Sequence, residues 1–169
     1  MIPKKTIQTF IRYARELGAL EAKRIEAASI VTAPWVRWKC RYGCSGYNTS
    51  LCCPPHAPTY LETRDVVSSY KHAILIHCKE IGSPTAIVCE MERRIFLAGY
   101  YKAFGLGSGP SQLCEKCNTR GCIHTEQARP AMEACGIDVY ATVRANGYPI
   151  EVVKDTSCDA NYYGLVLIE

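Results

Sequence analysis

The chain has 169 residues, including 11 cysteines; 48% of its residues are hydrophobic, 21% are charged, and the formal net charge is +4. This length suits one domain that buries its own core without disulfide bonds, and the composition excludes a largely disordered chain. The charge is too small to indicate nucleic-acid binding by itself. We expect a single α/β or α+β domain, with a small sheet flanked by helices and with cysteine-rich metal-binding loops.

The N-terminal part is predicted to contain one helix and one strand. Apolar residues recur every three or four positions over residues 6–20, the pattern of an amphipathic helix, and Gly18 stands near its end. Residues 22–31 fit either a helix or a strand. We favour a strand, which leads through Trp35 and Trp38 into the first cysteine loop.

The middle of the chain is predicted to alternate helix and strand. A helix at residues 59–70 precedes a short buried strand at residues 73–76, where the run is apolar and rich in β-branched residues. A long helix from Pro84 to Phe104 follows, and the glycine-rich residues 105–110 end it. This glycine run lacks the spacing of a phosphate-binding loop, so we expect it to form a tight turn beside a metal site.

The C-terminal part is predicted to contain two short elements and a closing strand. These are a helix at residues 125–134, a helical or extended piece at residues 137–144, a turn at Asn146-Gly147, and a strand at residues 162–168. Because helices separate the strands, both cysteine groups fall in connections between them. Connections of this kind commonly carry functional sites, here expected at one edge of the sheet.

The start of the chain predicts a cytoplasmic location. Residues 1–5 lack the apolar run and cleavage site of a signal peptide, and no apolar stretch is long enough to cross a membrane. Cytoplasmic thiols are kept reduced, so the cysteines indicate metal or redox chemistry better than they indicate disulfide bonds.

The first cysteine group comprises Cys40, Cys44, Cys52 and Cys53, followed directly by two prolines. Thiolates this close repel one another and are stabilised by a bound metal. Adjacent cysteines rarely bind one metal together, so one of Cys52 and Cys53 is expected to be spare. Cys53, the residue before the prolines, is the favoured ligand. The neighbouring aromatic residues are expected to shield the group from water; they are Trp35, Trp38, Tyr42 and Tyr47.

The second group has the spacing Cys114-x2-Cys117-x4-Cys122. Structural zinc sites prefer two Cys-x2-Cys pairs, or pairs completed by histidine, and this chain has one such pair. Iron–sulfur clusters tolerate looser spacing and often have a proline beside a ligand, which favours iron. Each group needs a fourth ligand, and the nearest candidates in sequence are His56, His124 and Cys135. Cys78, Cys89 and Cys158 stand alone in the sequence. We expect Cys78 and Cys89 to be packed thiols, and Cys158 has polar neighbours.

The cysteine groups and their flanks resemble a known family. The residues that carry the resemblance are Cys40-Arg41-Tyr42-Gly43-Cys44, Tyr47, residues 53–59, Gly109-Pro110, Leu113-Cys114, Cys117, Gly121-Cys122 and residues 128–139. Together they resemble the predicted metal-binding proteins grouped as domain of unknown function 2284. The resemblance covers residues 37–169, after an N-terminal helix and lead-in segment at residues 1–36. It implies a metal site, usually suspected to be iron–sulfur, in a family known mostly from anaerobic archaea and bacteria.

One position departs from the pattern that the resemblance implies. The family pattern has a cysteine where this chain has Ser111, so the second group is one thiolate short. Three alternatives stay open: Ser111 binds weakly, Cys135 or a cysteine of the first group substitutes, or one iron is left open to a substrate. A complete cluster suits electron transfer, whereas an open iron suits Lewis-acid or sulfur-transfer chemistry.

The favoured hypothesis is an electron-transfer protein with one or two [4Fe–4S] clusters, held by Cys40, Cys44, Cys53, Cys114, Cys117 and Cys122. Basic residues near the cysteines would guide an acidic redox partner; they are Arg37, Lys39, Arg41, Lys116, Arg120 and Arg129. One alternative is a structural zinc module that binds protein or nucleic acid, although nucleic acid is not the expected partner. The other is an enzyme with an open cluster iron. A homo-oligomer is also compatible, because another subunit could supply a fourth ligand.

Overall fold

Four strands form one antiparallel sheet at the centre of the computed structural model, which describes residues 2–81, 83–155 and 157–169. The strands are β1 (Glu21–Glu26), β2 (His72–Cys78), β3 (Phe104–Leu106) and β4 (Tyr162–Leu167), in the spatial order β1-β2-β4-β3. Every residue of β2 is buried, because β1 and β4 pair with its two sides. The buried strand predicted after the second helix and the closing strand are both confirmed.

The helices are α1 (Lys4–Glu16), α2 (Pro34–Gly43), α3 (Tyr60–Ser68), α4 (Ser83–Leu97) and α5 (Val139–Ala145), and Ala27–Ser29 adds one 3-10 turn. The predicted amphipathic helix is confirmed as α1, which buries Ile7 and Phe10. α3 begins with a capping box, in which Thr59 Oγ1 accepts from the Glu62 N–H and the Glu62 carboxylate accepts from the Thr59 N–H. Within the described residues, no helix combines the length and apolar character that crossing a bilayer requires.

Both faces of the sheet are covered. Ile74 and Ile76 point to one face, where α1 and α4 complete a core. Leu75 points to the other face, where it packs with Met132 and with Val143 of α5. Side chains alternate between the faces of a strand, so the central strand contributes to both cores. The chain is therefore a single small domain of mixed α and β structure, as the sequence predicts.

Two predicted elements have different boundaries. The strand predicted at residues 22–31 forms as β1 but ends at Glu26, and Trp35 and Trp38, expected in the lead into the cysteine loop, lie in α2. Pro34 occupies the first turn of this helix, where proline is favoured. The predicted long helix ends at Leu97 rather than at Phe104, because Gly99 adopts a φ of +99°, the left-handed conformation that stops helices. Phe104 instead begins β3, so part of the glycine-rich run is a strand.

The helix predicted at residues 125–134 is not formed, and turns occupy this segment. Pro130 lacks an N–H group and disfavours helical backbone at the residue before it. The backbone pairs with Gly107 instead: the Gly107 N–H donates to the Pro130 carbonyl at 2.8 Å, and the Met132 N–H donates to the Gly107 carbonyl at 3.0 Å. All three strand pairings within the described residues are antiparallel.

Residues 131–138 bring the two cysteine loops to the same part of the molecule. At one end of this segment, Ala131 forms a bridge with Gly107, which follows β3 and precedes the second cysteine loop. At the other end, Ile137 forms a bridge with Thr32, which precedes α2 and the first cysteine loop. The segment therefore joins the starting points of both loops.

Candidate metal centre

Three thiols of the first group meet near the C-terminal end of α2. A Cβ atom placed on Gly46 would lie 3.5 Å from Cys44 Sγ and 3.7 Å from Cys53 Sγ, so both sulfurs lie against the same glycine. Burial raises the pKa of Cys40, and the neighbouring Cys44, Glu133 and Cys53 raise it further. The structure thus brings together three cysteines that the sequence predicts as ligands.

Arg37 links the parts of the chain that carry the first group. Its Nη1 donates to the carbonyl oxygens of Ala57 at 3.1 Å, Pro58 at 2.6 Å and Ala134 at 2.9 Å. Arg37 and Cys40 are three positions apart on α2 and therefore lie on the same side of the helix. The guanidinium group consequently fixes the turn after Cys53 against the helix that carries Cys40.

Cys52 lies with the second group. It lines a small cavity of about 20 Å³ together with Cys114, Cys117 and Cys122. Burial raises the pKa of Cys52 to about 11, with added contributions from Cys122, Cys53 and Cys117. Cys52 and Cys53 therefore lie in different thiol groups. This arrangement gives no reason to regard either cysteine as spare. Of the three alternatives for the missing ligand, the geometry favours a cysteine from the first group.

Ser111 and His124 also line the cavity at the second group. Ser111 occupies the position where the family pattern has a cysteine. A cysteine at this position would line the cavity together with the other thiols. The His124 N–H donates to Cys122 Sγ at 3.3 Å, so His124 contacts this group through its backbone. Both residues stay possible ligands beside Cys52.

An ion pair joins the second cysteine loop to α4 and β3. Arg129 Nη2 lies 2.6 Å from Glu92 Oε1 and Arg129 Nε lies 2.7 Å from Glu92 Oε2, with 16% and 15% of the two side chains exposed. Glu92 Oε2 also accepts from the Gly105 N–H at 2.6 Å. Arg129 Nη1 donates to the carbonyls of Thr125 at 3.0 Å and Ala128 at 2.9 Å. This network holds the end of the loop against the sheet.

Two basic neighbours lower the pKa values of thiols in these groups, but the effect of burial is larger. Arg37 lowers the pKa of Cys40 and Arg129 lowers that of Cys52, yet burial leaves both pKa values raised. Burial therefore favours the protonated form of the Cys40 and Cys52 thiols. A metal that binds them must displace the protons, as is usual for cysteine sites.

Backbone N–H groups already point at two of the sulfurs. The Gly46 N–H donates to Cys44 Sγ at 3.4 Å, and the His124 N–H donates to Cys122 Sγ at 3.3 Å. Hydrogen bonds of this kind stabilise a thiolate and help to set the reduction potential of a cluster that it binds. One such bond is present in each group.

Two other predicted ligands have contacts that do not favour ligation. Cys135 is 1% exposed and packs in the core beneath the sheet, where burial raises its pKa to about 12. His56 is exposed, and its Nε2 forms a hydrogen bond of 2.9 Å with Asn48 Oδ1. Ligation by either residue stays a prediction that these contacts do not favour.

The isolated cysteines lie apart from both groups. Cys78 is buried within β2, and burial raises its pKa to about 11. Cys89 is partly buried in α4 and donates to the Gln127 carbonyl at 3.2 Å. Cys158 donates to Asp155 Oδ1 at 3.7 Å. Cys78 matches the packed thiol expected from the sequence, whereas Cys89 is only partly buried.

The aromatic residues of α2 do not shield the first group as expected. Trp38 is 70% exposed and Tyr42 is 76% exposed, because α2 carries them on its solvent side. Trp35 is also exposed and lines a larger cavity beside Cys40 and Cys44. The shielding prediction is therefore wrong for Trp38 and Tyr42.

Glu133 is a residue at this site that the sequence analysis missed. It lines the larger cavity, of about 730 Å³, together with Cys40 and Cys44. Its Oε2 is inaccessible to solvent and has no hydrogen-bond partner among the described residues. Glu133 lies within residues 128–139, which carry part of the family resemblance, and an acidic residue two positions before Cys135 was the available sequence signal.

The donor atoms suit a bound metal, although they are not gathered into a finished site. Among residues 2–81, 83–155 and 157–169, no group of three or more His, Cys, Asp or Glu side chains is placed to hold a metal ion. Four thiols nevertheless line one cavity, and three thiols lie near a buried carboxyl group. Thiolates bind zinc and iron–sulfur clusters, and carboxylate oxygens can complete such sites.

Comparisons with known proteins agree with this chemistry. No curated protein and no solved structure matches the chain. The family model described as "Predicted metal-binding protein (DUF2284)" matches residues 23–168, a range that includes most of β1 and begins before the stretch that carries the resemblance in sequence. The chain therefore belongs to the family of predicted metal-binding proteins DUF2284.

Proposed function

We propose that the protein holds two iron–sulfur clusters and transfers electrons. Cys52, Cys114, Cys117 and Cys122 would bind one cluster, named here the second centre. Cys40, Cys44 and Cys53 would bind the other, named here the first centre. Cysteine thiolates are the usual ligands of such clusters, and the Cys53-Pro54 sequence has the proline that often follows a ligand.

The observation that carries the proposal is the division of two adjacent cysteines between two thiol groups. Cys52 lines the cavity with Cys114, Cys117 and Cys122, whereas Cys53 lies with Cys44 at Gly46. Consecutive Cα atoms are about 3.8 Å apart, so centres held by these two residues would be close neighbours. Zinc has no redox chemistry, and two adjacent redox centres suit the passage of electrons from one to the other.

Anaerobic purification tests the metal directly. We expect a brown protein that dithionite bleaches, with about eight iron and eight sulfide per chain, the content of two [4Fe–4S] clusters. Elemental analysis and electron paramagnetic resonance of the reduced protein provide the measurements. A colourless protein that contains zinc and no iron refutes the proposal.

Pairs of substitutions test the division of Cys52 from Cys53. Cys52→Ala and Cys114→Ala should remove the same cluster, so the double variant should lose no more iron than either single variant. Cys53→Ala combined with Cys114→Ala should lose both clusters, because these residues belong to different centres. Cys89→Ala is the matched control, since this thiol bonds to a carbonyl outside both groups. Equal iron loss in the two double variants would contradict the assignment.

The surface beside the centres supports an acidic partner protein. Four basic residues that flank the cysteine groups are exposed: Lys39, Arg41, Lys116 and Arg120. Positive charge near a redox centre attracts an acidic surface and raises the association rate, and this effect weakens as salt increases. Electron transfer to an acidic ferredoxin-like acceptor should therefore slow with rising ionic strength, more in the native protein than in a Lys39→Gln, Lys116→Gln variant.

One observation favours zinc as a second candidate. The cavity among the four thiols has a volume of about 20 Å³, which is little more than one water-sized sphere and is enough for a single ion. A four-iron cluster is larger than a single zinc ion, so the small size of this cavity favours one ion. The same elemental analysis distinguishes the candidates, because a zinc module would contain zinc in stoichiometric amount and no sulfide.

A further inference from the structure

One carboxylate oxygen near the first centre lacks a partner. Glu133 Oε2 is inaccessible to solvent and accepts no hydrogen bond from any residue that the structure describes. Burial raises the pKa of this carboxyl group, and the Glu133 backbone N–H opposes that effect. Leaving a buried polar group unpaired costs about 1–3 kcal/mol, so native proteins pair such groups with protein atoms, water or an ion.

The surroundings of Glu133 place it near Cys40 and Cys44. Its charge raises the pKa of Cys40, alongside the charges of Cys44 and Cys53. Glu133, Cys40 and Cys44 also line the same cavity. The neighbouring carbonyl of Ala134 accepts from Arg37, which holds the segment of Glu133 against α2.

The first centre has three thiols near one another and needs one more donor. Cys52 lies with the second group, and Cys135 packs in the hydrophobic core. His56 is exposed and already bonds to Asn48. The carboxyl group of Glu133 is thus the donor that combines nearness to the thiols with an unused oxygen.

We propose that Glu133 Oε2 is the fourth ligand of the first centre, completing the set of Cys40, Cys44 and Cys53. The assignment rests on the proposed function, in which these thiols hold an iron–sulfur cluster. Carboxylate oxygen is an established ligand type for iron, and a metal atom would supply the missing partner of the buried oxygen.

The two centres differ in the size of the cavity beside them. Glu133 lines a cavity of about 730 Å³, whereas the second centre faces a cavity of about 20 Å³. A cavity of the larger size admits a small organic molecule. The first centre therefore lies beside a cavity large enough for a small molecule, although Glu133 Oε2 itself is shut off from solvent.

Iron content and spectroscopy of Glu133→Gln test the assignment. The variant should lose one iron per chain, from about eight to about seven, because a four-iron cluster that lacks its fourth ligand loses that iron. Electron paramagnetic resonance should then show a three-iron cluster in the oxidised protein. Glu126→Gln, an exposed carboxyl group in the loop before Glu133, is the control and should keep the native iron content. Unchanged iron content and an unchanged spectrum in Glu133→Gln overturn the assignment.

A second measurement covers a variant that fails to fold. Mössbauer spectra of the native protein grown on iron-57 should contain one iron site whose parameters differ from those of sites with sulfur ligands alone. Spectra with sulfur-only coordination at every iron overturn the assignment without any substitution.

The two proposals can fail separately. If the native protein contains zinc and no iron, the proposed electron-transfer function is refuted. The zinc content of the variants then tests whether Glu133 is a ligand. Loss of one zinc per chain in Glu133→Gln, but not in Glu126→Gln, would support Glu133 as a ligand, and no loss would refute it. If iron is present and Glu133→Gln leaves it unchanged, the function stands and the Glu133 assignment falls.

Discussion

Removal of Arg129 should destabilise the second cysteine loop. We consider Arg129→Gln, which leaves the Glu92 carboxylate without the guanidinium that lies 2.6 Å and 2.7 Å from its oxygens. The carboxylate would keep one donor, the Gly105 N–H. The loop would lose the two carbonyl contacts that Arg129 makes within residues 125–128.

The size of the effect follows from the burial of the pair. Exposed ion pairs contribute about 0–1 kcal/mol, whereas removing one partner of a buried pair costs about 3–5 kcal/mol. With 16% and 15% of the side chains exposed, the pair is nearer the buried case, and the retained Gly105 N–H reduces the cost. We expect Arg129→Gln to lower the free energy of unfolding by about 3 kcal/mol, and Glu92→Gln, which keeps a neutral acceptor, by about 2 kcal/mol.

Anaerobic urea denaturation in the presence of reductant measures both variants and the double variant. The two changes should not add, because each one already breaks the same interaction, and the coupling should be about 2 kcal/mol. Arg12→Gln is the matched control, since its pair with Glu16 is 72% and 61% exposed, and it should change stability by less than about 0.5 kcal/mol. Single losses below 1 kcal/mol, or full additivity, would refute the reasoning; the threshold is about the upper limit for exposed pairs.

Two further predictions concern packing and pH. Gly107→Ala should lower the free energy of unfolding by about 3 kcal/mol, because the added Cβ would lie 2.8 Å from Thr85 Cβ and 3.0 Å from Thr85 Cα. Gly43→Ala is the control, since its Cβ would meet nothing within 4 Å. Equal stability of the two variants would contradict the argument. Burial raises the pKa of Tyr163 to about 12 from an ordinary value near 10, so the folded chain holds this proton more tightly than the unfolded chain does. The free energy of unfolding should therefore fall as pH rises from about 10 to about 12, and it should fall less in Tyr163→Phe. Urea titrations at alkaline pH measure both proteins. An equal fall in the two proteins would disprove the prediction.

The elements predicted best from sequence are those whose periodicity is local. Residues 6–20 show a helical repeat, and α1 lies there because the apolar face alone decides its packing. Residues 73–76 are a short β-branched run, and β2 lies there because such a run suits a central strand. Both signals sit within one stretch of chain and need no information about its neighbours.

The errors arise where distant contacts outweigh the local pattern. Residues 125–134 look helical, yet Pro130 and the pairing with Gly107 keep the segment in turns. The strand β3 is three residues long and exists because β4, nearly sixty positions later, offers it a partner. A pairing partner that far away leaves no trace in the local sequence.

The spacing of the cysteines was enough to indicate a metal-binding protein and to name most of the candidate ligands. Clustered thiols in Cys40, Cys44 and Cys53, and in Cys114, Cys117 and Cys122, carry that information because nearby thiolates need a cation. The family match supports the same general chemistry. No sequence spacing, however, tells which member of an adjacent pair belongs to which group.

The tertiary structure alone decided the grouping of donors. Consecutive residues of an extended or turning chain can point in different directions, so Cys52 lies with the second loop while Cys53 stays with the first. Glu133 lies near Cys40 for a similar reason, because the bridges at Ala131 and Ile137 hold its segment beside the starts of both cysteine loops. The sequence by itself determined which residue types are available, and the folded chain determined which of them can share a metal, since ligation depends on distances in space.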